Sequence, residues 1–126
     1  MKRGTFGAVL LAALFFLCLS EMRFARRELK PMAGQIRQAA EAAALGDYEK
    51  TAALTEKAGA AWEKCRGKFS CLSQQQAVRD IDGLYDEVRV FLLAKEQVHC
   101  AAACENLKNH LLALLEDQKL CFANLL

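Results

Sequence analysis

The sequence predicts an all-α protein, an N-terminal transmembrane helix followed by a small antiparallel helical bundle of three to four helices, and three observations carry that prediction. Only one proline, Pro31, stands in 126 residues. Alanine, leucine, glutamate, lysine, arginine and glutamine dominate the chain after it, and these residues cost least in a helix. Apolar residues also recur at the spacing of one helical face through the second half of the chain. The length fits one folded domain, expected over 31–126, behind an N-terminal membrane anchor with basic flanks over 1–30.

The first element is the uncharged run Gly4–Ser20, preceded by Lys2 and Arg3. As a helix it spans about 25 Å, slightly short of a hydrocarbon core of about 30 Å. Arg23, Phe24, Arg26 and Arg27 lengthen it, because long basic side chains reach back to headgroups and an aromatic ring sits well at the interface. The same arginine cluster resembles a membrane boundary and argues against a buried core helix. The competing reading is a cleaved signal peptide, with Cys18-Leu-Ser20 at a passable cleavage spacing, which would yield a secreted helical protein. A lipid-anchor site at Cys18 is disfavoured by Leu17, where a small residue is expected. Two basic residues and the free amine precede the run and four basic residues follow it, so charge alone does not orient it. A first segment so near the N-terminus commonly sends its C-terminal side outward, giving a single-pass cell-membrane protein with an extracytoplasmic domain. In the reverse orientation Arg23, Arg26, Arg27 and Lys30 would face the anionic cytoplasmic leaflet.

The basic excess belongs to these flanks. Residues 1–30 carry six basic and two acidic residues, a net of +4, whereas the remainder nets −2. The folded part therefore lacks a basic stripe suited to a phosphate backbone, and nucleic-acid binding is disfavoured.

Pro31 fits the first turn of a new helix or a kink, so anchor and domain are expected to meet near Lys30–Met32. An alanine-rich helix follows to Leu45. Gly46-Asp47 supplies a breaker and an N-cap, and a second helix is expected over Tyr48–Lys64. The stretch Ala42-Ala-Ala-Leu-Gly-Asp-Tyr-Glu-Lys-Thr-Ala-Ala-Leu54 is similar to one tetratricopeptide hairpin, but no second copy occurs at a fixed period, so a solenoid is not expected. Gly67–Ser73 reads as a loop, and Ser73 with Gln76 forms a capping-box pattern at the start of a third helix. In that helix Ala77, Val78, Ile81, Leu84, Tyr85, Val88, Phe91 and Leu92 follow the spacing of one face. A fourth helix is expected over Val98–Lys119, with Cys100, Cys104, Leu107, Leu111 and Leu114 as its stripe. Lys95–Gln97 holds no strong breaker. A short turn with an antiparallel return is expected there, one long bent helix being the alternative.

The short anchor, the Gly46-Asp47 turn, Ala60-Ala-Trp62, Asp80-Ile-Asp82 and the closing Glu116-Asp-Gln-Lys-Leu-Cys-Phe-Ala-Asn-Leu-Leu126 together resemble a family of short bacterial proteins, mostly Gram-positive, classed as a domain of unknown function. The resemblance implies one membrane anchor and a helical extracytoplasmic region, and it implies no activity. In that family the third helix often begins with a histidine ahead of the aspartate. Ser73-Gln-Gln-Gln76 supplies none, so a role tied to that histidine does not carry over.

Cysteine is the residue type with most chemical content: Cys18 in the anchor and Cys65, Cys71, Cys100, Cys104 and Cys121 beyond it, an odd number. Antiparallel third and fourth helices bring the Cys65–Cys71 loop level with Cys121, so a disulfide from Cys65 or Cys71 to Cys121 is expected. Cys100 and Cys104 lie about 30 Å away along the helix, too far to join it. They read as small buried hydrophobes. The alternative is a thiol-dependent redox or metal protein in which His99, Cys100, Cys104 and His110 offer soft ligands. It would show bound metal or a thiol of lowered pKa, although His99 and Cys100 point apart on a helix and no Cys-x-x-Cys pair is present. Asp80, Asp82, Asp86 and Glu87 read as a solvated helix face. Trp62 reads as a structural anchor of the hairpin core, packed near Phe69 or the third helix. No serine-histidine-acid set, phosphate loop or dinucleotide fingerprint occurs. The expected function is a noncatalytic interaction module of the bacterial cell envelope, with no catalytic residue, cofactor, metal or small-molecule substrate. Its partners are membrane lipid through residues 4–20 and another membrane or envelope protein.

Overall fold

The computed structural model describes residues 2–69 and 72–125, with the side chains of 18, 21, 22, 25, 72, 73 and 118–125 outside the description. Among the described residues four α-helices follow one another: α1 (Lys2–Ala44), α2 (Tyr48–Cys65), α3 (Leu72–Leu93) and α4 (Gln97–Leu125), with a 3₁₀ turn at Arg66–Lys68 after α2. They run up, down, up and down. α1 lies between α2 and α4, and α3 packs mainly on α4.

The expected helix start at Pro31 is corrected, because α1 runs unbroken through it. Proline forfeits one backbone bond, to the carbonyl of Arg27. Pro31 and Arg27 are both exposed, so that carbonyl lies on a solvent-facing side of α1, where its loss of an intrahelical partner costs least. The core also begins before the proline: Leu29 is fully buried, and Phe24 packs against the same cluster. Leu29, Met32, Ala33, Ile36, Ala40 and Ala43 then follow the i, i+3, i+4, i+7 spacing that turns one face of α1 inward.

The two turns at one end of the bundle are built alike. After α1, the Gly46 amide bonds the Ala43 carbonyl at 3.0 Å and the Asp47 amide bonds the Ala42 carbonyl at 2.9 Å. This closure needs a left-handed residue, and Gly46 has φ +77°. The Asp47 carboxylate accepts from the Lys50 amide at 3.2 Å and so caps α2. After α3 the Lys95 and Glu96 amides bond the Leu92 and Phe91 carbonyls in the same pattern, with Lys95 at φ +53°. The Tyr48 hydroxyl donates to the Lys95 carbonyl at 3.0 Å and Gln97 Nε2 donates to the Ala44 carbonyl at 2.5 Å, which holds the two turns side by side. Lys95→Gly removes the Cβ penalty of the left-handed conformation while keeping the carbonyl that Tyr48 uses. It is expected to stabilise the bundle by about 0.5–1 kcal/mol in a urea titration.

Helix limits also differ from expectation. α3 begins at Leu72, and Gln76 Nε2 reaches forward to Asp80 Oδ1 at 2.9 Å instead of back across a capping box; the Ser73 side chain is outside the description. α4 continues past Lys119 to Leu125.

α1 has 43 residues, about 65 Å, against 18 in α2, 22 in α3 and 29 in α4, its main packing partner. The first turns of α1 therefore project beyond the body of the bundle. The transmembrane helix expected at Gly4–Ser20 is not found as such: among the described residues no helix is long and apolar enough to cross a membrane. The uncharged run is about three residues short of the roughly 20 a crossing needs, and the same helix continues directly into Arg23, Arg26 and Arg27.

Candidate functional site

Two regions concentrate unusual chemistry. One is the seam between α2 and α3. Trp62, on the last turns of α2, is buried and stacks on Phe69 with ring centroids 5.9 Å apart and planes at 19°. Its indole N–H donates to Asp82 Oδ1 at 2.7 Å, and Arg66 Nη2 donates to Asp82 Oδ2 at 2.5 Å. Asp82 is thus a clamp tying the end of α2 to α3, and its reading as part of a solvated face is corrected. Its position is four residues after Val78 and three before Tyr85, at the edge of the apolar stripe, and this was the available sequence signal. Asp80, Asp86 and Glu87 do lie exposed.

Beside the clamp a cleft of about 450 Å³ is lined by residues including Glu56, Gly59, Glu63, Tyr85 and Arg89. Burial, then the nearby Cys65 thiol, pushes the Tyr85 phenol well above its ordinary range. Both Asp82 oxygens already accept from strong donors, so this carboxylate is poorly placed to act as a general base.

The three thiols within the described residues are buried. Cys65, Cys100 and Cys104 are free thiols with almost no exposed surface. Burial, assisted by the Glu28 carboxylate, raises Cys65 to about 11. Burial and the neighbouring Cys100 raise Cys104 to about 12, and burial raises Cys100. This direction is opposite to what a thiol nucleophile or redox centre requires. His99 is exposed beside Glu96, with Nδ1 3.5 Å from Oε2, and His110 Nδ1 lies 2.9 Å from the Asn106 carbonyl oxygen. Among the described residues, no three ligand-type side chains gather to hold a metal ion. Cys71 and the Cys121 side chain lie outside the described residues, so the expected disulfide from Cys65 or Cys71 to Cys121 falls outside the description.

Two outcomes follow for the thiols. A thiol reagent at pH 8 is expected to leave Cys65, Cys100 and Cys104 unmodified in the folded chain and to modify all three in denaturant, as read by mass mapping. Their folded pKa values exceed the unfolded value of 9.0, so their contribution to stability is whole below pH 9. It declines as pH rises from about 9 toward 12, where the unfolded thiols ionise first. Urea midpoints measured between pH 7 and 11 are expected to fall only in the upper part of that range.

The second region is the projecting start of α1. Phe6, Val9, Leu10, Leu11, Leu14, Phe15, Phe16 and Leu17 are all exposed, between 45% and 73%. At 100° per residue they surround the helix and leave no polar face. No protein family, curated protein or solved structure matches the chain. The resemblance to short anchored bacterial proteins therefore stands on the residues quoted for it alone.

Proposed function

We propose that this chain is a membrane-attached, noncatalytic helical module: the first turns of α1 embed in a lipid bilayer, and the four-helix bundle stands off the surface to engage another envelope protein. The observation that carries the reading is the ring of exposed apolar side chains from Phe6 to Leu17. Eight large apolar residues around a whole helix circumference are unfavourable in water and are satisfied by hydrocarbon on every side. A bilayer offers that environment, with Lys2 and Arg3 at one limit of the run and Arg23, Arg26 and Arg27 at the other. The opposite end of the bundle supports the second half of the proposal. Leu45, Leu93 and Val98 flank the two paired turns and are 78–85% exposed, a small apolar tip facing away from the projecting helix.

Flotation of the full chain with phosphatidylcholine vesicles tests the attachment. The chain is expected to rise with the vesicles and to stay with them in high salt. Recovery of the chain in the aqueous fraction, folded and monomeric, would refute the proposal.

A further inference from the structure

We infer that the exposed basic stripe of α1, Arg23, Arg26, Arg27 and Lys30, is a binding site for the phosphate groups of anionic lipid headgroups, selecting a negatively charged leaflet; this rests on the bilayer attachment proposed above. The four residues are spaced i, i+3, i+4, i+7, so their side chains leave one face of the helix. All four are exposed, and none has an ion-pair partner among the described residues. The acidic residue inside the stripe's range, Glu28, leaves α1 about 100° or more around the helix from each of the four cations.

A fifth cation joins at the same level. Lys68, in the turn after α2, sits with Nζ 3.9 Å from the ring centroid of Phe24, which places its charge against α1 at the residue that follows Arg23 and one turn before Arg27. Folding therefore brings a distant lysine to the basic stretch. The position along the helix is also suitable. Arg23 lies three residues past Ser20, about 5 Å, and Arg27 about 10 Å, within snorkelling reach of the headgroup layer if the apolar turns are embedded. A stripe serving only solubility would not need unneutralised cations immediately beyond an apolar stem. Anionic headgroups supply the missing counter-charge.

The test compares binding of the full chain to phosphatidylcholine vesicles and to vesicles of phosphatidylcholine mixed with phosphatidylglycerol, by sedimentation at low and high salt. Arg26→Gln with Arg27→Gln is expected to lower partitioning to the mixed vesicles by about twenty-five-fold, roughly five-fold per charge, and to leave binding to pure phosphatidylcholine unchanged. A charge-matched control, Lys50→Gln with Arg79→Gln, changes exposed residues away from the stripe and is expected to have little effect. Inorganic phosphate is expected to compete no better than chloride at equal ionic strength. Equal binding of the wild type to both vesicle types, an equal loss in the control, or specific competition by phosphate would overturn the headgroup site while leaving attachment intact. Failure to bind either vesicle type would overturn attachment and this inference with it. Circular dichroism of each variant confirms that helix content is retained.

Discussion

Trp62→Ala is expected to lower the stability of the bundle by about 3–5 kcal/mol, the cost of truncating a large buried aromatic where the surroundings cannot collapse. Three losses coincide at this one side chain. Its ring leaves a void beneath Phe69, with which it stacks. Its N–H no longer satisfies Asp82 Oδ1, which is half-buried. Arg66 then holds a carboxylate anchored on one oxygen only. Trp62→Phe separates these contributions, since it keeps most of the ring and removes the donor. It is expected to cost about 1–3 kcal/mol, the penalty of an unsatisfied acceptor. Asp82→Ala should recover part of that cost in the Trp62→Phe background, because it removes the orphaned oxygen. Urea denaturation of the four chains, read as a double-mutant cycle, measures the coupling. Strict additivity would mean that the indole and the carboxylate do not act as a pair.

Leu10→Arg combined with Leu11→Arg is expected to reduce vesicle partitioning by at least a hundred-fold without unfolding the bundle. Both side chains are exposed, at 53% and 70%, so the substitutions remove no core contact. Near the middle of a buried helix, exchanging leucine for arginine costs about 3 kcal/mol by insertion scales. Successive residues point about 100° apart, so rolling both charges toward water also lifts the apolar side chain between them, Leu14, out of hydrocarbon. Snorkelling recovers some of the penalty, which is why the expected loss is set below the sum of the two costs. Leu11→Ala is the mild comparison and should reduce partitioning by only a few-fold, in proportion to the apolar area lost. Flotation reads both variants, and thermal unfolding of the same samples reports whether the bundle persists.

The parts of the fold that were legible in the sequence are those where one residue type does one physical job. Gly46-Asp47 announced the first turn because a left-handed position favours glycine and an N-cap favours aspartate, and both residues are used that way. The turn at Lys95 has the same hydrogen bonds but was invisible as a breaker, because a lysine carries the left-handed backbone. Pro31 misled in the other direction. Its helix-breaking tendency is real, yet the carbonyl it strands is on a solvent face, and the buried Leu29, Met32 and Ile36 on either side hold the helix together. Asp82 was hidden because its partners, Trp62 and Arg66, come from another helix and only packing brings them within bonding distance. Composition showed an aspartate among other acidic residues; it could not show which one turns inward.

The thiols illustrate how far a residue count carries. Cysteine on an apolar stripe correctly suggests burial, and Cys100 and Cys104 are buried on the inward face of α4. The raised thiol at Cys65 needed the approach of α1, since part of its cause is the Glu28 carboxylate on that helix. Likewise the apolar run at Gly4–Ser20 was plain in the sequence, but its continuity with the core-forming half of α1 was not. That continuity matters mechanically: a single helix passes from the apolar stem into the packed bundle, so the orientation of the stem fixes the orientation of the domain.

The most direct test of membrane attachment is the environment of the stem, measured by placing a spin-labelled amino acid in turn at residues 9, 10, 11, 14 and 16 of the full chain bound to phosphatidylcholine vesicles. Collision with oxygen, which concentrates in hydrocarbon, and with a water-soluble paramagnetic complex, which does not, is read at each position. Embedding on every side predicts high oxygen accessibility and low accessibility to the soluble complex at all five positions, with no helical periodicity. Accessibility to the soluble complex at every position, or a 3.6-residue alternation showing that one face remains in water, would contradict it.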